Sequence, residues 1–471
     1  MKAAVGRARL VLAMLVVPAV SAMAQEYPGR EKLRAQSNQF RREVIEVTDG
    51  VYVAVGYSAS NVILIRGDSG SIIVDTATDM VAARQIVEAF GPRLRMPVQA
   101  IVYTHSHGDH TGGAQTFAGS AAPDIYSHEL LLRATPDAGR AGRDGGDQFG
   151  MTLPASLFIN AGVQAEFGRV VPPTRDGYLP PTRTFSGAEL SLNVAGVRVQ
   201  LLHTPGETPD TIAVWLPDKR VLMPGDNFFR AFPNVAPIRG ARLRSPDTWL
   251  ESLNRIIALQ PEHVVPSHTR PVLGASASAE TLTAYRDGLK SIVDQTREGI
   301  SKGERPDELA AHVKLPPALA EHPFLQEFYG GVEWTVRGIY ADQVGWFDGN
   351  PTRLFPLPEK ERATRLVTII GGVERVLERA RGALSTSDYT CGRTRGLRAR
   401  KRPLACRRKA SQSTGVDRTR RAADQRDCAE LLPDHRAVPA QGPSTAMRLS
   451  ETSMHISDRL PRSLQPRTRS S

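Results

Sequence analysis

The stretch THSHGDHTGG, residues 104–113, places four potential metal ligands within six positions: His105, His107, Asp109 and His110. It follows the mostly apolar run 98–102, which predicts a buried strand, and it ends in two glycines that let the backbone pass close to a neighbour. In a turn, the first two histidines can reach one point, and the aspartate and last histidine can reach a second point nearby. Because imidazole nitrogen and carboxylate oxygen are good ligands for Zn²⁺, the sequence predicts a metal site where this strand ends.

Three further candidate ligands follow other apolar runs. Glu207 lies in HTPGETPD, Asp226 in MPGDNFF and His268 in VVPSHTRP. Each comes just after a predicted strand, so we expect these side chains to meet the first four and to complete a site for two metal ions. Asp75, which closes the strand SIIVDT, is expected to orient a ligand histidine.

The periodicity of the central part predicts a mixed α/β domain followed by helices. Runs rich in Val and Ile, with turn residues between them, predict strands in six stretches: GVYVAVG, NVILIRGDSGSIIVDT, MPVQAIVYT, LSLNVAGVRVQLLHTP, TIAVWLPDKRVLMPGD and HVVPSH. The stretch MVAARQIVEAFGP has apolar residues at helical spacing. From 276 to 390, apolar residues repeat mostly at three and four positions, which predicts a helical segment. Tyr329, Trp334 and Trp346 are expected to pack its helices together; the alternative is that they line an apolar groove.

The N-terminus has the composition of an export signal. Three basic residues precede the apolar stretch 10–20, which is shorter than the roughly 20 residues that span a bilayer. Ala22 and Ala24 then present the small-residue pattern that a signal peptidase recognises. We therefore expect residues 1–24 to be removed, the mature protein to be periplasmic or secreted, and no stable membrane insertion.

The formal net charge of +11 comes from the end of the chain. Residues 391–471 contain 17 Arg and 2 Lys against 7 acidic residues, so the rest of the chain is nearly neutral. This distribution argues against a nucleic-acid partner for the folded part. The same segment contains all three cysteines but no Phe, Tyr or Trp, so it cannot build a core. We expect 391–471 to be a disordered basic tail.

The order of the candidate ligands, H-x-H-x-D-H followed by an acid, an Asp and a last His, resembles the pattern of the metallo-β-lactamase superfamily. Most members of that superfamily have His where this chain has Glu207. A glutamate there, together with IRGARLRSPDTW, PSHTRP and VRGIYADQVGWFDGNPTRLFPLP, is similar to the type III alkylsulfatases, which are zinc-dependent hydrolases of dodecyl sulfate and related esters. The resemblance runs from about Gly50 to about Tyr389. It implies an α/β fold, with an αββα sandwich over 25–275 and an all-helical domain over 276–390 that the family uses for dimerisation.

The resemblance also implies the ligands of two zinc ions per chain. One ion would bind His105, His107 and Glu207, and the other would bind Asp109, His110 and His268. Asp226 stands where the family has a bridging acid, usually Glu. Two cations that share a water lower its pKa toward neutrality, so Asp109 and Asp226 are expected to be catalytic.

Two arginines are expected to bind the sulfate group of the substrate. Arg239 matches the arginine of the family's LRGA stretch, and Arg244 follows it closely. A guanidinium fork suits the oxygens of a sulfate monoester, and Arg239 is expected to be catalytic as well.

The sequence thus predicts an exported homodimeric hydrolase that cleaves alkyl sulfate esters to alcohol and sulfate. Two alternatives stay open. Another hydrolase of the superfamily, acting on a lactone, a β-lactam or a thioester, would need the same zinc ions but no anion-binding arginines. A non-catalytic metal- or sulfate-binding module would bind metal without turning over any ester. The sequence does not distinguish cleavage of the C–O bond from cleavage of the S–O bond.

The tail departs from the family. Type III alkylsulfatases have a domain resembling sterol carrier proteins after the helical part, and nothing in 391–471 resembles one. Arginine-rich sequence begins abruptly after ARGALSTSDY, as a frameshift in a GC-rich gene would produce. We therefore expect the tail to be dispensable for folding.

Overall fold

The computed structural model describes residues 30–134, 177–238 and 243–385. The expected signal peptide and basic tail lie outside these ranges. Contacts between residues divide the chain into two units, 1–355 and 356–471.

A seven-stranded sheet forms the first half of the first unit. Its strands lie side by side in chain order: β1 (Glu43–Thr48), β2 (Val51–Val55), β3 (Val62–Arg66), β4 (Ser71–Val74), β5 (Val98–Val102), β6 (Asp124–His128) and β7 (Arg183–Phe185). Strands β1 to β4 are antiparallel, and β4 to β7 are parallel. Val74 pairs with Val102 at the ends of β4 and β5, so Asp75 and the histidine motif leave the sheet at the same edge.

The second sheet has six strands, in the spatial order β13-β12-β11-β10-β9-β8. The strands are β8 (Glu189–Val194), β9 (Val197–His203), β10 (Ile212–Leu216), β11 (Val221–Met223), β12 (His263–Val264) and β13 (Val272–Leu273). Only the β11–β12 pair is parallel. The chain leaves both of these strands at one edge, and the loops that follow contain Asp226 and His268.

Alternation along the strands separates the inner core from the outer cores. In the first sheet, Ile63 and Val74 face the second sheet, whereas their neighbours Leu64 and Ile73 pack under helices on the outer face. In the described part of the first unit the α-helices are α1 (Arg30–Ser37), α2 (Met80–Phe90), α3 (Gly108–Thr111), α4 (Ala114–Ala118), α5 (Pro246–Ala258), α6 (Ala275–Ser301), α7 (Pro306–His312), α8 (Pro317–Ala320) and α9 (Val332–Gln343). Helices α2 and α4 cover the first sheet, and α5 and α6 cover the second.

The predicted αββα sandwich and the helical segment after it are therefore confirmed. All six stretches predicted as strands contain them, and MVAARQIVEAFGP contains α2. From 275 to 385 the regular structure is helical throughout. Four strands were missed, β1, β6, β7 and β13, because they are short or rich in polar residues and have no clear apolar period. The domain boundaries at 275 and 390 stay predictions.

In the second unit the structure describes two helices, α10 (Glu359–Ile369) and α11 (Val373–Ser385). No helix in the described ranges is both long enough and apolar enough to cross a membrane. The expected packing role of Trp346 is wrong, because its side chain is 73% exposed. The ring of Tyr329, in contrast, packs 6.0 Å from that of Phe229.

The two glycines of THSHGDHTGG allow the ligand-bearing turn to touch the loop after β4. A Cβ atom at Gly112 would lie 1.9 Å from the carbonyl oxygen of Thr78, and one at Gly113 would lie 2.2 Å from that of Thr76. Both obstacles are backbone atoms, which cannot rotate away as a side chain can. The close approach expected from the sequence is confirmed.

We expect Gly113→Ala to lower the free energy of unfolding by about 1–3 kcal/mol, because the new methyl group has no room and must displace backbone. Chemical denaturation of the purified protein measures this. Gly187→Ala is the matched control, since the nearest atom to its Cβ would lie at 3.8 Å. Equal stability of the Gly113 variant and the control would contradict the packing described above.

Candidate metal centre

Seven candidate ligands, from four segments that each follow a strand, come together in two groups. The first group contains His105, His107, Glu207 and Asp226, and the second contains Asp109, His110 and His268. Within each group, one ligand atom from each residue lies within 4.8 Å of the others. Five of the seven residues are buried. The structure thus brings together all seven residues that the sequence nominated as ligands.

The first group has two imidazole nitrogens at its centre. His105 Nε2 lies 2.9 Å from His107 Nδ1 and 3.7 Å from Asp226 Oδ2. On the other side, His107 Nδ1 lies 3.9 Å from Glu207 Oε1. Two nitrogens and two carboxylates therefore face a common centre.

Asp226 lies between the two groups. Its Oδ2 atom is 3.1 Å from His268 Nε2 and 3.5 Å from His110 Nε2, in addition to its contact with His105. Asp109 Oδ2 completes the second group, 3.4 Å from His110 Nε2 and 3.6 Å from His268 Nε2. Although aspartate is one methylene shorter than the glutamate usual in the family, its carboxylate reaches both groups.

The carboxylate of Asp75 accepts hydrogen bonds from three residues at the site. Its Oδ2 atom accepts hydrogen bonds from His110 Nδ1 at 2.8 Å and from the hydroxyls of Thr104 and Ser267, both at 2.9 Å. Its Oδ1 atom accepts the backbone N–H of Thr104 at 2.8 Å. The carboxylate is wholly buried. The predicted role of Asp75 in orienting a ligand histidine agrees with these contacts.

Hydrogen bonds fix which nitrogen of each buried histidine faces the site. His110 donates through Nδ1 to Asp75, and His268 donates through Nδ1 to the carbonyl oxygen of Ala59 at 2.9 Å. Thr104 gives its hydroxyl proton to Asp75, so it accepts from His105 Nδ1 at 3.1 Å. In all three residues the Nε2 atom is left to face the ligand groups, as metal-binding histidines require.

The carboxylates make this a site that favours positive charge. Burial lowers the pKa of His105, and the neighbouring His110 lowers it further, to about 4. Burial also disfavours the charged form of His268, but Asp226 and Asp109 outweigh it and raise the pKa of His268 to about 9. The same carboxylates raise the pKa of His110 well above its usual value. Protons on the Nε2 atoms of His110 and His268 occupy the positions that a bound cation would take, so metal binding would release them.

The donor set fits divalent cations. His110 Nε2 and Asp226 Oδ1 are buried and have no hydrogen-bond partner within the described part of the chain. Buried polar atoms normally have partners, and a metal ion would supply one here. Imidazole nitrogens and carboxylate oxygens without thiolates are the ligands of hydrolytic zinc sites.

Several residues that support the ligands were missed by the sequence analysis. Asn227 accepts the backbone N–H of Glu207 at 2.9 Å and donates to the carbonyl oxygen of Thr204 at 2.5 Å, which fixes the loop between β9 and β10. Asn61 donates to the carbonyl oxygens of Pro266 and Thr269, on either side of His268. These asparagines are far from their partners in the sequence and form no motif, so only their position next to predicted ligands could have drawn attention.

The two arginines expected to bind sulfate are placed differently. Arg239 lies outside the described residues. Arg244 is buried, and its Nη1 atom lies 2.6 Å from Glu207 Oε1 and donates to the carbonyl oxygen of Asn234 at 2.9 Å. Its guanidinium therefore contacts a candidate metal ligand directly.

Models of two protein families match the chain. The metallo-beta-lactamase superfamily matches residues 55–268, which include all seven candidate ligands. The alkyl sulfatase dimerisation family matches residues 305–394. The two matches follow one another along the chain in the order that the sequence resemblance implied.

Relatives and solved structures give the same result. A linear primary-alkylsulfatase from Pseudomonas sp. is 37% identical over 340 residues, which cover 69% of this chain and 63% of the relative. An (R)-specific secondary-alkylsulfatase from Pseudomonas sp. is 29% identical over 368 residues, covering 74% of this chain and 54% of the relative. The structure of a stereoselective inverting sec-alkylsulfatase from Pseudomonas sp. superposes with a TM-score of 0.69 at 26% identity, covering 78% of this chain and 60% of that protein.

The chain thus spans between half and two thirds of the length of these relatives. Within that length its fold is similar to that of the inverting sec-alkylsulfatase. The chain thus has a metallo-β-lactamase domain over residues 55–268, followed by an alkyl sulfatase dimerisation domain over residues 305–394.

Proposed function

We propose that this protein is an exported hydrolase that uses two zinc ions to cleave alkyl sulfate esters to alcohol and sulfate. The observation that carries the proposal is the pair of ligand groups that share Asp226, in a chain whose relatives are alkylsulfatases. One group would hold a zinc ion on His105, His107 and Glu207, and the other on Asp109, His110 and His268. When bound, two such ions lower the pKa of water and polarise the oxygens of an ester.

The protein's own groups would position the ester. Arg239, which matches the arginine of the family's LRGA stretch, would bind the sulfate group. Its guanidinium would donate two parallel hydrogen bonds to sulfate oxygens.

An apolar cluster beside the second group supports an alkyl substituent on the substrate. The ring of Phe229 lies 6.2 Å from that of His268, and Phe328 and Tyr329 pack against Phe229. Apolar side chains at this position would favour a hydrocarbon chain over a polar leaving group. The names of the two curated relatives, a linear primary- and a secondary-alkylsulfatase, support the same substrate class.

Export and dimerisation complete the proposal. The basic, apolar and small-residue order of residues 1–24 supports export to the periplasm or the medium. The match of 305–394 to the alkyl sulfatase dimerisation family supports a homodimer.

We expect the exported protein to begin at Gln25. Intact mass measurement of the protein recovered from the periplasm or medium of an expressing bacterium would show the loss of residues 1–24. A variant with Ala22 and Ala24 both replaced by Asp should be retained uncleaved, because the peptidase requires small residues there. Recovery of the full-length chain in the soluble cytoplasmic fraction would contradict export.

We expect His107→Ala to lose bound zinc and sulfate-ester hydrolysis while the fold is kept. The His107 side chain is partly exposed, so its removal leaves an incomplete ligand set without opening a core cavity. Zinc content by atomic emission, sulfate release from dodecyl sulfate and circular dichroism measure the three properties. His312→Ala, at an exposed histidine away from the site, is the control. Two zinc ions per chain and full activity in the His107 variant would overturn the assignment.

We expect Arg239→Ala to slow the hydrolysis of alkyl sulfates far more than that of a neutral lactone. Loss of a charge-assisted hydrogen bond to a buried anion costs about 1.5–3 kcal/mol, or roughly 10- to 150-fold in kcat/KM. Arg198→Ala, which removes an exposed arginine paired with Asp218, should leave both reactions unchanged. Equal losses on both substrates would contradict sulfate binding by Arg239 and would favour a lactone-type hydrolase of the same superfamily.

A further inference from the structure

We propose that Arg244 is a positioning residue, which holds the carboxylate of Glu207 in place for metal binding instead of binding the sulfate group. The proposal rests on the metal-binding part of the function proposed above and not on the identity of the substrate. It departs from the sulfate-binding role that was expected for Arg244 from its place in the sequence.

The contact itself is close and buried. Arg244 Nη1 lies 2.6 Å from Glu207 Oε1, and the side chains of the two residues are only 6% and 2% exposed. The same Nη1 atom donates to the carbonyl oxygen of Asn234 at 2.9 Å. A guanidinium fixed in this way by two protein acceptors is not free to follow an incoming anion.

The backbone and the carboxylate of Glu207 both contact one segment of the chain. Asn227 accepts the backbone N–H of Glu207 at 2.9 Å, and Arg244 contacts its carboxylate. Both residues belong to the segment that begins with Asp226, the acid placed between the two ligand groups. The position of Glu207 relative to Asp226 is therefore set within a single segment, although the two acids follow different strands.

The charge of Arg244 also matters to the first ligand group. That group contains two buried carboxylates, Glu207 and Asp226. Like charges at short range repel each other strongly when they are buried. The guanidinium offsets part of this repulsion and restricts the rotation of the Glu207 carboxylate, so the ligand is held in place before the metal binds.

The two roles of Arg244 predict different results. If Arg244 binds the sulfate group, its replacement should change the KM for alkyl sulfates and the binding of inorganic sulfate, and should leave the affinity for zinc unchanged. A positioning residue would change the affinity for zinc and the kcat for every substrate, including a neutral lactone, and would change KM little.

The experiment compares Arg244→Met, which removes the charge but keeps the length, with Arg244→Lys, which keeps the charge. In the full-length protein we expect Arg244→Met to bind one of the two zinc ions about 10- to 100-fold more weakly, as is usual when a partner of a metal ligand is lost. Arg244→Lys should recover part of this loss. Chelator competition measures the affinity, and the absorption spectrum after cobalt substitution reports the geometry of the first group. Arg255→Met is the matched control, since Arg255 donates to the carbonyl oxygens of Ala188 and His203.

Unchanged zinc affinity and cobalt spectrum in Arg244→Met, with weaker binding of inorganic sulfate, would overturn the proposal. Equal zinc affinities of the Met and Lys variants would also contradict it. If Arg244→Met does not fold, the wild type, Glu207→Gln, Arg244→Lys and the double variant Glu207→Gln/Arg244→Lys form a double-mutant cycle. Additive effects on zinc affinity in this cycle would then contradict the coupling. A wild-type protein that binds two zinc ions but releases no sulfate would overturn the proposed function and leave this inference intact.

Discussion

The candidate metal centre depends on the hydrogen bonds that the buried carboxylate of Asp75 accepts. The carboxylate accepts four hydrogen bonds, two from Thr104, one from His110 and one from Ser267. These donors come from the loop after β5 and from the loop after β12, so one side chain joins the ends of strands in both sheets. A charged group at 0% exposure is tolerable only because every bond it makes is to a donor in a fixed position.

The rest of the centre is built outward from that group. Asp75 orients the ring of His110 by a direct hydrogen bond and the ring of His105 through the Thr104 hydroxyl. The Nε2 atoms of both histidines therefore face the ligand groups. The loop after β2 acts in the same way on His268, through the carbonyl oxygen of Ala59. The loops meet because the two strands of each parallel pair, β4–β5 and β11–β12, end at the same edge of their sheet.

Arg244 gives the site a second level of organisation. Together with Asn227 it fixes Glu207 from the segment that carries Asp226, while Asp75 fixes the histidines from the first sheet. Glu207 and His110 are thus held by different parts of the fold. A substitution of Asn227 or Arg244 would alter the support of Glu207 and leave the contact between Asp75 and His110 in place.

The sequence by itself determined the fold class, the main strands and the seven candidate ligands, because apolar period and the residues that follow an apolar strand are local features. It also marked Asp75, which closes a strand in the same way. Only the tertiary structure placed Asp226 within reach of both groups, and only it brought Arg244 to Glu207 and Asn61 to both sides of His268. In the contacts made by Arg244 and Asn61, the partners are 37 or more residues apart in the sequence. No local sequence pattern encodes contacts between residues so far apart. The direction of the Arg244 guanidinium, and with it the role we propose for that residue, followed from the packing of two loops and not from its position in a motif.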